Sequence, residues 1–186
     1  MQPLVEWQKQ APNGLIYPWW THPLLSVLES SDLSRLTWLE FGAGRGTPWL
    51  RSQCRWVDSI ETSDQWAADV DLECRERGIL NGSIRGQHLA DGIAEDIAPY
   101  FSLIPERQYD AISVDGIFRT ECLQWAVDHF KGHGGLLICD NWQQDYVFIS
   151  PAAEKIMQPY QAHTFYQPGH TIHEGRPWNT TFWIIE

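Results

Sequence analysis

Between an apolar run and an amphipathic one, the chain places three glycines in five residues, Gly42-Ala43-Gly44-Arg45-Gly46. Glycine adopts positive φ without strain and lets a ligand approach the backbone closely, so this stretch predicts a tight binding turn. Residues 36–40 before it read as a buried strand ending on the acid Glu40. After it, Thr47 can cap a helix and Pro48 suits its first position, with Trp49, Leu50 and Cys54 opening an apolar face. A second strand over residues 56–60 then closes on another acid, Glu61. The unit is strand, glycine turn, helix, strand and acid, and the free N–H groups of its helix face the turn.

A dinucleotide fingerprint spaces its glycines as G-x-G-x-x-G. Here the third comes one residue early, and Glu40 stands two residues before the first. In that form the unit resembles motif I of class I S-adenosylmethionine-dependent methyltransferases, where an acid precedes G-x-G-x-G and another closes the second strand. The resemblance implies a Rossmann-like α/β fold, a mostly parallel seven-stranded sheet with an antiparallel C-terminal strand pair and helices on both faces. It also implies S-adenosylmethionine as cofactor. Gly42 and Gly44 would lie under its methionine part, Glu61 would bind its ribose hydroxyls, and Glu40 would hold the turn or the cofactor's amino end. The chemistry agrees, because ribose offers two adjacent hydroxyl donors and a carboxylate is an acceptor-only group that can take both. The stretches YPWWTHPLLSVLE, LEFGAGRGTPWL and SIETSDQW together resemble one branch of this family, with a Pro-Trp arm and a tryptophan following the second acid. That branch supports the fold more than any substrate.

A length of 186 residues suits a single domain over 1–186, with residues 1–21 as an aromatic N-terminal arm. Hydrophobic residues at 43 % and charged ones at 20 % allow a substantial core. The net charge is −11 with only 13 Lys and Arg, a balance that repels phosphates and argues for a small-molecule partner over nucleic acid. Cys54, Cys74, Cys122 and Cys139 form no C-x-x-C pair and read as buried thiols of a reducing compartment. The first residues carry no basic and apolar leader, and no apolar run approaches spanning length, so a cytoplasmic protein without a membrane partner is expected.

The arm mixes Trp7, Tyr17, Trp19 and Trp20 with Pro3, Pro12 and Pro18 and shows no period, which predicts irregular structure covering the sheet edge or the first helix, or roofing a substrate pocket. A short helix around Leu24, Leu25, Val27 and Leu28 leads to the first strand. Beyond Glu61, Ser63 or Asp64 can cap a helix carrying Trp66, Val70 and Cys74 and ending near Gly78. A third strand is expected at 84–89, a helix at 93–101, a fourth strand from Tyr109 ending at Asp115, and a helix at 119–131. The fifth strand, 136–139, ends in Asp140-Asn141; a short helix at 152–157 and two strands at 163–166 and 180–185 follow. Alternation of strand and helix predicts a parallel sheet with right-handed crossovers, whose ligands bind past the carboxyl ends of the strands. Glu40, Glu61, Asp91, Asp115, Asp140 and Asn141 should therefore gather along one rim.

The resemblance makes Asp91 a partner for the adenine amino group, although it can equally cap the helix after it, and places Asp115 at the cofactor and the reaction crevice. His170 and His173 lie in the loop between the last strands, where an imidazole can act as general base near neutral pH. In an extended loop they point to opposite sides, so at most one faces the pocket. His22, His88, His129, His133 and His163 have no better claim. Asp115, Asp140 and Asn141 resemble the Mg²⁺ site of catechol-type O-methyltransferases, whereas Arg119 could pair with either acid and leave no room for a cation. The reading is therefore a methyltransferase for a small-molecule or carbohydrate-like acceptor, against a non-catalytic binding or scaffold protein on the same fold.

Overall fold

A computed structural model describes residues 9–88, 97–142, 149–167 and 178–186. Seven strands form one sheet in the order β3-β2-β1-β4-β5-β7-β6. They are β1 (Thr37–Phe41), β2 (Trp56–Glu61), β3 (Gly82–Gly86), β4 (Ala111–Val114), β5 (Gly135–Asp140), β6 (Ala162–Gln167) and β7 (Trp178–Ile185). The first five pair in parallel, and β7 runs antiparallel to both β5 and β6. The β1/β4 pairing beside β1/β2 is the switch point, where the chain crosses from one side of β1 to the other.

Side chains alternate across the strands and build two cores. Trp38, Val57, Ala111 and Ile138 face α1 (His22–Glu29) and α2 (Thr47–Gln53), where they meet Leu24, Leu25, Leu28, Trp49 and Leu50. Leu39, Phe41, Ile112, Val114 and Cys139 face the opposite side and pack on Tyr100 of α4 (Ala98–Phe101), Leu123 and Phe130 of α5 (Arg119–Phe130), and Met157 of α6 (Pro151–Met157). Each large apolar side chain buried in this way contributes about 1.5–3 kcal/mol. Beside α2, α3 (Asp64–Glu76) packs on β3 and buries Ala67, Val70 and Cys74. All four cysteines are free and buried. Among the described residues no helix is long and apolar enough to cross a membrane.

Three local expectations are corrected. The arm is ordered in its described part: Gln10 bridges Ile16, the Ala11 N–H donates to Leu15, and Asn13 with Gly14 makes the turn, so residues 9–17 form a small hairpin. Its Ala11 and Leu15 join the core beneath α1. Thr47 does not cap α2 but is its first helical residue; Gly46 is the cap, and the Thr47 hydroxyl is spent on the glycine turn. β3 begins at Gly82, earlier than its apolar residues suggested, because pairing with Val57 sets the register.

Candidate active site

The glycine turn follows β1 and leads into α2 at the carboxyl edge of the sheet. Each of its glycines is small for a different reason. Gly42 has φ +95°, and a Cβ there would lie 3.0 Å from the Asp115 carbonyl, so this position locks the turn against the end of β4. At Gly46 a Cβ would come within 2.4 Å of Pro18 Cα, so the arm crosses directly over the start of α2. Among the described residues, nothing lies within 4 Å of the position a Cβ would take at Gly44. Of the three, Gly44 is the position at which the described residues leave the backbone bare.

Glu40 does not reach the rim as a strand-end acid. It sits one residue before the end of β1, only 5 % exposed, under α2. Its Oε2 accepts from Ser59 Oγ (2.7 Å) on β2 and from Thr47 Oγ1 (2.8 Å), while Thr47 Oγ1 in turn accepts the Gly44 N–H (2.9 Å). Burial pushes the Glu40 carboxyl up to about 7, with the two hydroxyls and the Arg51 charge opposing the shift. Glu61 ends β2 and turns toward the glycine turn. Its Oε1 accepts from Thr62 N (2.8 Å), Thr62 Oγ1 (3.1 Å) and Ser63 N (3.1 Å). Partial burial raises this carboxyl, and those donors, with the Ala43 N–H nearby, resist the rise.

At the ends of β4 and β5, Arg119 organises the acids. Its Nη2 donates to Asp115 Oδ1 (3.0 Å), its Nε to the Gly116 carbonyl (2.9 Å), and its Nη1 to the Asp140 carbonyl, with Asn141 Oδ1 3.5 Å from both terminal nitrogens. Asn141 holds φ +53°, a left-handed conformation that Asn tolerates better than most residues. The Asp140 carboxyl turns away from this cluster and accepts from Thr180 Oγ1 of β7. Burial, then the nearby Asp115 charge, raises Asp140 well above the usual carboxylate range. The guanidinium thus stands among the oxygens that the sequence offers to Mg²⁺, and as placed they do not fit a divalent cation. Asp115 follows the last residue of β4 and keeps 30 % of its side chain exposed.

The arm borders the same rim. Pro18 lies on Gly46, Thr21 N donates to Thr180 Oγ1 (2.9 Å), and His22 N donates to Gln167 Oε1 (2.7 Å), so residues 18–22 run from the glycine turn to the β7 and β6 ends. Trp20 stacks on Trp38, while Trp19 remains 51 % exposed. Asp91, His170 and His173 lie outside the described residues. The structure therefore brings together Glu40, Gly42, Gly44 and Glu61 around one turn and Asp115, Asp140 and Asn141 around Arg119. Sequence reasoning missed Thr47 and Ser59 as the partners of Glu40 and Pro18 as the partner of Gly46; for Thr47 the only signal was a hydroxyl directly after the last glycine.

No protein-family model and no curated protein matches the sequence. Solved structures do match. A SAM-dependent O-methyltransferase from Thermotoga maritima superposes with a TM-score of 0.60 at 14 % identity, covering 91 % of this chain and 66 % of that one. The N-methyltransferase NodS from Bradyrhizobium japonicum WM9 gives 0.59 at 15 %, covering 88 % and 93 %. An rRNA methylase from Streptococcus thermophilus gives 0.57 at 12 %, covering 89 % and 96 %. With the strand order above, these similarities establish the class I methyltransferase fold and leave the acceptor open.

Proposed function

We propose that the chain is an S-adenosylmethionine-dependent methyltransferase acting on a small-molecule or carbohydrate-like acceptor. The observation that carries this reading is the bare backbone at Gly44, flanked by the inward-turned carboxylate of Glu61 at the switch point of the sheet. The residues fit the cofactor. Gly44 leaves room for its methionine part, and Glu61 can take the ribose hydroxyls if the Thr62 hydroxyl rotates away. Both Glu40 hydrogen bonds fall on Oε2, which leaves Oε1 for the cofactor's ammonium group. When bound, the cofactor supplies an electrophilic methyl group, and the protein's part is to align the acceptor, exclude water and take up a proton where the acceptor carries one.

Asp115 bounds the crevice on the β4 side in this proposal, Asp91 holds the adenine amino group, and His170 or His173 is the base. The Arg119 guanidinium supports a metal-independent reaction. The net charge of −11 favours a small acceptor over RNA, although the fold also serves an rRNA methylase. Calorimetric titration with S-adenosylhomocysteine tests the premise: saturable binding is expected, and no binding at millimolar ligand removes it.

A second reading, a non-catalytic cofactor-binding or scaffold protein, draws support from Asp115 and Asp140, which already have partners in Arg119 and Thr180. Binding of S-adenosylhomocysteine without methyl transfer to any member of a broad acceptor panel would favour it.

A further inference from the structure

Trp66 has no role in the reading above, yet its geometry ties it to the glycine turn. It is the third residue of α3, whose first turn is capped by Ser63 Oγ accepting the Trp66 N–H (3.2 Å). The buried face of α3 is Ala67, Val70 and Cys74, and Trp66 lies beside that face with 40 % of its surface exposed. Burial alone does not call for an indole here, since leucine or phenylalanine would cover the same ground. What the indole adds is a donor: Nε1–H reaches across to the Ala43 carbonyl at 2.8 Å.

That bond completes a set. The peptide between Ala43 and Gly44 has its carbonyl held by Trp66 Nε1 and its N–H held by Thr47 Oγ1 (2.9 Å), so the plane is pinned from both sides. The preceding N–H, that of Ala43, favours the charged form of Glu61. A peptide plane has one free rotation about its flanking bonds, and glycine on one side makes that rotation easy. Without the Trp66 bond, Gly44 could turn its bare face away from the crevice. We propose that Trp66 is a cofactor-positioning residue, fixing the Ala43–Gly44 peptide through its indole N–H so that Gly44 stays open to the cofactor's methionine part. This inference rests on the cofactor reading, and its test separates the two.

Trp66→Phe keeps an aromatic ring and removes only the donor; Trp66→Leu removes both. S-adenosylhomocysteine affinity should fall about tenfold in each, the upper range for one lost neutral hydrogen bond. Amide exchange at residues 42–46 should accelerate in both variants while exchange in the sheet and the melting temperature stay near the native values. A merely structural tryptophan would instead lower the melting temperature and speed exchange throughout α3. Affinity of Trp66→Phe within twofold of native, or unchanged exchange at 42–46, overturns the proposal. Should the native chain fail to bind S-adenosylhomocysteine at all, the cofactor reading falls and the exchange at 42–46 alone decides whether Trp66 holds the turn.

Discussion

Glu40 carries the most consequential single charge at the turn. In the folded chain burial lifts its carboxyl from an ordinary 4.5 to about 7. Between those values the folded state binds more protons at this group than the unfolded one, so the contribution of Glu40 to stability is fully present below pH 4.5 and is lost as pH rises through 7. At 1.36 kcal/mol per pH unit the loss is about 3 kcal/mol once the group is ionised. Glu40→Gln keeps an oxygen for Ser59 and Thr47 and cannot ionise. Chemical denaturation at pH 4.5, 6, 7 and 8 should therefore show native stability dropping by about 3 kcal/mol relative to the variant across that range. Parallel pH profiles for the two proteins would mean that Glu40 titrates as an exposed acid. The acid before the glycines was plain in the sequence, but its depth was not, because the hydroxyls that hold it come from another strand and from the helix beyond the turn.

At the level of elements, the glycine turn and the arm are one construction. Gly44 and Gly46 look equivalent in the sequence, and only the packing separates them: among the described residues one has no neighbour at its Cβ position and the other lies against Pro18. Gly44→Ala should fold with a native melting temperature and lose S-adenosylhomocysteine binding. Gly46→Ala forces the new methyl against the Pro18 backbone, which cannot yield by a rotamer change, and should cost about 1–3 kcal/mol with the arm displaced from α2. Thermal melts with ligand titrations on both variants check this contrast, and a stable Gly46→Ala would place the arm elsewhere. The β1–turn–α2–β2 unit and the parallel order were legible because glycine spacing and apolar periodicity are local signals, whereas the antiparallel pairing of the last two strands came from the family resemblance alone. The hairpin at 9–17 was not legible, since a single bridge and an Asn-Gly turn leave no alternation to read. The β3 register was hidden for a related reason: it is set by its partner Val57, whereas its own apolar residues are sparse.

Across the whole molecule, the charge balance is what the proposed preference for a small acceptor rests on. The sequence holds 13 Lys and Arg against 24 Asp and Glu. Among the described residues, six of those cations pair with carboxylates: Arg51, Arg75, Arg77, Arg107, Arg119 and Lys131. Arg51 and Arg119 are also buried, so neither can reach a phosphate. Nucleic-acid affinity comes largely from neutralising several phosphates at once, and the surface left here offers the opposite field. A polyanion would have to overcome that field before any base contact formed. Filter binding with ribosomal RNA fragments and unstructured RNA at about 0.1 M salt, where charges beyond roughly 10 Å are screened, should therefore show no retention. Adding salt should raise the melting temperature by relieving self-repulsion. Retention of RNA that weakens steeply with salt would reveal a local cationic path outweighing the net charge, and the acceptor would then belong to the class of the rRNA methylase that shares this fold.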